Sequence, residues 1–108
     1  MANEEAYLQV QTTVDDPELA RELAAALVDE GLAACVQILG PVESHYRWQG
    51  RREVAREWLL VAKTDQRRYP RLAEAIGRRH PYEVPEVVAV PLVEMADGYR
   101  AWLRDSLR

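Results

Sequence analysis

Apolar and polar residues alternate along Ala6–Val14: Ala6, Leu8 and Val10 fall on one face, Tyr7, Gln9 and Gln11 on the other. A period of two predicts a strand with one buried face. The period then lengthens to that of a helix. Leu19, Leu23 and Leu27, with Ala20 and Ala24, form one stripe. Asp16 suits the N-cap, Pro17 the first helical position and Gly31 the C-terminal stop. A second strand, residues 33–39 (AACVQIL), runs into Gly40-Pro41, a pair that predicts a bulge or bend. The strand resumes as VESHYRWQ, with Ser44, Tyr46 and Trp48 on one face and Glu43, His45, Arg47 and Gln49 on the other. Gly50 marks a turn, and EVAREWLLVAKT, residues 53–64, returns as a third strand. Asp65 suits the N-cap of a second helix, whose stripe is Tyr69, Leu72, Ala73, Ile76 and His80. Pro81 ends it, because a residue before proline is pushed out of the α region. EVVAVPLVE, residues 86–94, is a fourth strand, and Pro91 within it predicts an edge or a bulge. Residues 97–107 make a short amphipathic helix carrying Tyr99, Trp102, Leu103 and Leu107.

The element order is βαββαβ plus a terminal helix. Two right-handed βαβ crossovers joined by a hairpin give an α+β, ferredoxin-like sandwich, with both main helices on one sheet face. The chain reads as one domain, 1–108, without linker or repeat. Each arm of the hairpin has about 14 residues, a reach of roughly 45 Å at ~3.3 Å per residue. A globule of this size has a radius of gyration near ~13 Å. The hairpin should therefore project, with Tyr46, Trp48 and Trp58 at its tip, aromatics that an isolated ribbon cannot bury. Another copy of the chain is the simplest partner, so these three residues are expected at a homo-oligomer interface.

Composition narrows the function. The net charge of −4 argues against a nucleic-acid binder, which would carry a basic face. No apolar run is long enough for a transmembrane helix, and MANEEAYLQV lacks the basic and apolar regions of a signal peptide. No membrane association and a cytoplasmic location are expected. The single cysteine, Cys35, excludes an internal disulfide and a cysteine-only zinc site within one chain. There is no Ser–His–Asp set, glycine-rich phosphate loop or HExxH motif, so no enzyme activity is expected.

Several pieces occur together in one order: Thr12-Thr13 closing the first strand, GLAACV (Gly31–Val36), YRWQG (Tyr46–Gly50), Glu57 with Lys63-Thr64, HPYEVPE (His80–Glu86), and Tyr99 with Trp102. In these the chain resembles the CutA family, the divalent-cation tolerance proteins. The resemblance implies a ferredoxin-like homotrimer with long hairpins wrapped between subunits. It also implies a link to copper(II) or another divalent cation. Some members are implicated in anchoring a membrane esterase, and nothing in these residues supports that role. The trimer resembles that of the PII signalling proteins, a likeness of fold only. Copper-linked bacterial members can carry a cysteine at the end of the first strand and a second histidine before HPY. Here those positions are Thr12 and Arg79, and a guanidinium repels a cation.

The candidate metal residues are His80 and Cys35. His80 reads either as a helix-ending, hydrogen-bonded histidine or as a ligand, since neutral imidazole suits Cu(II) and Zn(II). Cys35 reads either as a small core filler or as a soft ligand at a subunit interface. His45 and Glu43 share a face, but two ligands alone hold a metal weakly. Glu57 and Lys63 stand six residues apart on one strand, about 20 Å, so each needs a partner elsewhere. Pro81 and Pro85 stiffen the loop around Tyr82, Glu83 and Glu86. Lys63, Tyr82, Glu86 and Glu57 are the candidates for a cleft between subunits, together with Cys35. Two functions follow: a trimeric divalent-metal binder in metal tolerance, or a PII-like module taking a small anion or a partner protein at that cleft.

Overall fold

The computed structural model describes residues 6–108. Met1–Glu5, part of the segment read as lacking a signal pattern, lies outside the described residues. The elements are β1 (Tyr7–Val14), α1 (Pro17–Asp29), β2 (Cys35–Trp48), β3 (Arg51–Asp65), α2 (Tyr69–Arg79), β4 (Val88–Leu92) and α3 (Asp97–Ser106). The sheet order is β2-β3-β1-β4, with antiparallel neighbours throughout. The β1–α1–β2 unit thus straddles β3, and β3–α2–β4 straddles β1, which is the split βαβ arrangement.

Local chemistry sets the helix ends. The Asp16 carboxylate accepts from the Glu18 amide at 2.9 Å, and Pro17 opens α1. Gly31 stops it with φ 72°, a conformation open to glycine, and a Cβ there would collide with the Arg108 side chain. Asp65 departs from its expected role as N-cap of α2. It ends β3 and holds the turn before the helix, accepting from the Arg68 amide at 2.8 Å and from its guanidinium at 2.6 Å. The helix then starts at Tyr69, with Pro70 in its first turn.

The main core lies between the helices and one sheet face. Leu8, Val10, Val14, Leu60 and Ala62 meet Ala20, Leu23, Leu27, Leu72 and Ile76. Each fully buried Leu or Ile contributes about 1.5–3 kcal/mol. The opposite face is covered only at one end. There α3 lays Leu103 and Leu107 over Tyr7 and Ala34. Tyr7, whose alternation grouped it with Gln9 and Gln11, is therefore only 5% exposed. Beyond α3 that face stays open and includes exposed Leu39, Val88 and Val90.

The hairpin is the long dimension of the molecule, whose extents are 44 × 29 × 24 Å. Gln49 and Gly50 close it, both with positive φ (50° and 79°), as a two-residue hairpin turn favours. β1 ends at Val14 opposite Trp58, so Val42–Trp48 and Arg51–Glu57 continue as a bare two-stranded ribbon. Gly40-Pro41 produces the expected irregularity. The register shifts between Leu39 and Val42. One extra residue inverts the alternation of β2. Val42, Ser44, Tyr46 and Trp48 consequently share the open face with Cys35, Gln37 and Leu39. Trp58 corrects the sequence reading. It sits at the hairpin base, not the tip, packs on the chain's own core, and lies where a Cβ on Gly40 would strike its indole.

Candidate functional site

The open face ends in a cleft where the ribbon leaves the sheet and the loop after α2 crosses the end of β1. The loop is braced by His80. Its backbone is extended (φ −84°, ψ 135°), as Pro81 requires. Its ring is buried at 9% exposure. Nε2–H donates to the Thr13 carbonyl at 2.8 Å, and Nδ1 accepts the Tyr82 amide at 3.2 Å. The ring also stands edge-on to Tyr82, with centroids 4.6 Å apart. Both imidazole nitrogens are thus committed, and no lone pair is free for a metal. Of the two readings of His80, the hydrogen-bonded one describes its geometry.

That brace aims Tyr82 at Glu57. The phenol donates to Glu57 Oε2 at 2.7 Å across 25 residues of sequence. Burial, then the hydrogen bond and the negative charge of Glu57, push the phenol's pKa well above its ordinary value. Tyr82 therefore remains a donor at neutral pH. Glu57 is only 5% exposed. Among the described residues it forms no ion pair, and Tyr82 is its single hydrogen-bond partner.

The cleft in front of Glu57 has a volume of about 670 Å³. Tyr46, Trp48 and Tyr82 supply aromatic walls, and Glu57, Glu83 and Glu86 supply carboxyl groups. Thr13, Ser44, His45 and Val84 complete the lining, and no lysine or arginine contributes. His45 Nε2 pairs with Glu43 Oε2 at 2.6 Å, on exposed side chains. Uncompensated carboxylates make this cleft attractive to cations and repellent to anions.

The expected site residues divide into two places. Glu57, Tyr82 and Glu86 come together. Cys35 and Lys63 lie opposite each other near the far end of the β2–β3 pairing. Cys35 Sγ is 3.8 Å from the Tyr99 hydroxyl, and burial, then this contact, raises the Tyr99 phenol's pKa. Lys63 Nζ donates to Gln37 Oε1 at 3.2 Å and meets no carboxylate among the described residues. Leu59 pairs with Thr13 beside His80, whereas Cys35 pairs with Lys63, four residues further along β3. That is about 13 Å along the strand, so His80 and Cys35 do not converge on one ion. Among the described residues, no group of three His, Cys, Asp or Glu side chains could hold a metal. Thr12, at the position where the resemblance places cysteine in copper-linked members, points a buried hydroxyl without a partner among the described residues into the core. Ser44 joined the site unannounced, whereas Glu83 came with the loop already read around Tyr82 and Glu86. The available signal was the inverted alternation after Gly40-Pro41, which brings Ser44, Tyr46 and Trp48 to the side of Glu57.

No helix among the described residues is long and apolar enough to cross a membrane. The chain matches the family described as "CutA1 divalent ion tolerance protein" over residues 8–106. It is 46% identical to "Divalent-cation tolerance protein CutA" of Thermus thermophilus over 97 residues, which are 90% of this chain and 94% of that protein. It is 41% identical over 99 residues to "Protein CutA, chloroplastic" of Arabidopsis thaliana, covering 92% of this chain and 54% of the plant protein, about half that relative's length. The fold superposes on a solved Thermus thermophilus structure, "Divalent cation tolerance protein (Cut A1)", with a TM-score of 0.92 and 44% identity, over 94% of this chain and 99% of that one.

Proposed function

The chain belongs to the CutA1 divalent ion tolerance family, and from that premise we propose that it is a non-catalytic homotrimer that gathers divalent cations, copper(II) among them, in the acidic cleft around Glu57. The observation that carries this reading is the buried, unneutralised Glu57 carboxylate facing a cleft free of lysine and arginine. His80 and Cys35 do not supply a shared site, so the cleft replaces them as the cation's location. The cleft carboxylates offer oxygen donors to a divalent cation, while His45 stands on the other face of the ribbon, paired with Glu43. Exposed Leu39, Val88 and Val90 on the uncovered sheet face support burial against other copies of the chain. A ring of copies would complete the ligand set that one chain lacks. The anion-binding reading finds no support in the cleft, since Lys63 lies outside it.

A calorimetric Cu(II) titration of metal-free protein, with oligomer mass measured in the same buffer, tests this. Micromolar or tighter binding at a fixed number of ions per trimer is expected. Glu57→Gln should weaken it at least tenfold, and Cys35→Ser should leave it unchanged. Binding that survives Glu57→Gln but is lost in Cys35→Ser would place the cation at the other end of the sheet.

A further inference from the structure

We infer that the outer face of α2 docks an acidic segment of another protein. This goes beyond the cation reading and does not rest on it. Place in the fold is the first argument. α1 and α2 pack on the sheet face opposite the open one. Copies joined through the open face therefore leave the outer face of α2 in solvent.

Charge is the second argument. Residues 66–80 hold five arginines and one glutamate, a charge of +4 in a chain whose total is −4, so the rest carries −8. Arg71, Glu74, Gly77 and Arg78 are exposed and share one helical face. Arg71 and Arg78 border a hollow of about 440 Å³ between α2 and the end of α1, with Glu30, Leu32 and Glu74 as its other walls. Arg78 donates to Glu74 and Arg79 to Glu30, each at 2.8 Å. Both pairs are exposed, and such pairs are weak and readily exchanged for a partner's carboxylates. Arg71 has no ion pair among the described residues. A guanidinium fork grips a carboxylate through two N–H donors. Arg71 and Arg78 stand two turns apart, about 10 Å at ~1.5 Å per residue. Carboxylates three residues apart on an extended chain have roughly the same spacing. A nucleic acid or a lipid surface would reach past α2 and face the acidic remainder of the molecule, which repels it. A short acidic segment meets the arginines alone.

Gly77 is the third argument. It lies inside α2, on the same face as Arg78, without a positive φ. A Cβ there would meet nothing within 4 Å. Neither conformation nor packing within the chain calls for glycine, which weakens a helix interior. A partner's backbone passing close over this point does call for it.

Fluorescence anisotropy on the full chain tests this, with a labelled peptide of repeating Glu-Glu-Ser as probe, at about 0.1 M salt. Saturable binding of one peptide per protomer is expected, about tenfold tighter than its Gln-Gln-Ser counterpart. Arg71→Glu and Arg78→Glu should each weaken it about tenfold. Gly77→Leu should weaken it about tenfold too, while raising the melting temperature, since leucine favours the helix. Loss of affinity in a more stable protein separates docking from a structural role. All three residues are exposed, so the variants fold. Peptide binding undiminished in Gly77→Leu or in the arginine variants would overturn the inference, as would no saturable binding. A DNA duplex or phosphatidylserine vesicles bound more tightly than the peptide would overturn it as well and assign the face to another class of partner. Glu57 and its cleft take no part in these measurements, so the cation reading stands or falls separately.

Discussion

Tyr82 connects the loop after α2 to the carboxylate on β3, and its hydroxyl is Glu57's one hydrogen-bond donor among the described residues. Tyr82→Phe should cost about 1–3 kcal/mol, since it leaves a buried carboxylate oxygen unpaired. The pH dependence has a definite sign. The folded-state pKa of Tyr82 is raised, so folding favours the protonated phenol. That contribution is fully present below the unfolded value of about 10 and is lost as pH rises above it. Denaturant melts from neutral to strongly alkaline pH should show a decline above pH ~10 that is smaller in Tyr82→Phe. Parallel declines would contradict the assignment. At this scale the sequence displayed residue types but not partners. His80 read equally as ligand or brace, because nothing local reveals the Thr13 carbonyl 67 residues away. Glu57 clearly needed a partner elsewhere, and Tyr82 was among the cleft candidates, yet their bond is a product of the fold.

Among the elements, the β2 bulge governs the site. Without the extra residue at Gly40-Pro41, Tyr46 and Trp48 would face away from Glu57. Gly40 also makes room for the Trp58 indole. Gly40→Ala should therefore destabilise the protein by about 1–3 kcal/mol through overpacking, measured by chemical denaturation. Trp58→Ala in the same chain should relieve most of that penalty, as coupled neighbours do. Additive losses would show that the two do not interact. The strands, helices and their order were legible because each buries one periodic face. Two details escaped that logic. Tyr7 looked like part of a polar face, since the covering helix α3 comes some ninety residues later in the chain. Asp65 looked like a helix cap, since its pairing with Arg68 postpones the helix to Tyr69.

Over the whole molecule, the sheet has two chemically distinct ends on its open side. One end holds the acidic, aromatic cleft around Glu57. The other holds Cys35, Lys63 and Tyr99, with the Trp102 ring tilted against Tyr99, centroids 5.4 Å apart. The three tryptophans happen to sample different places: Trp48 in the cleft, Trp58 over the core and Trp102 on α3. The most direct test of the cleft as cation site is a proton–nitrogen spectrum of the three indole N–H groups during stepwise addition of paramagnetic Cu(II). A cation gathered beside Glu57 should broaden the Trp48 signal at substoichiometric copper while Trp102 stays sharp. Broadening of Trp102 first, or of all three together, would contradict it and place the metal elsewhere on the protein.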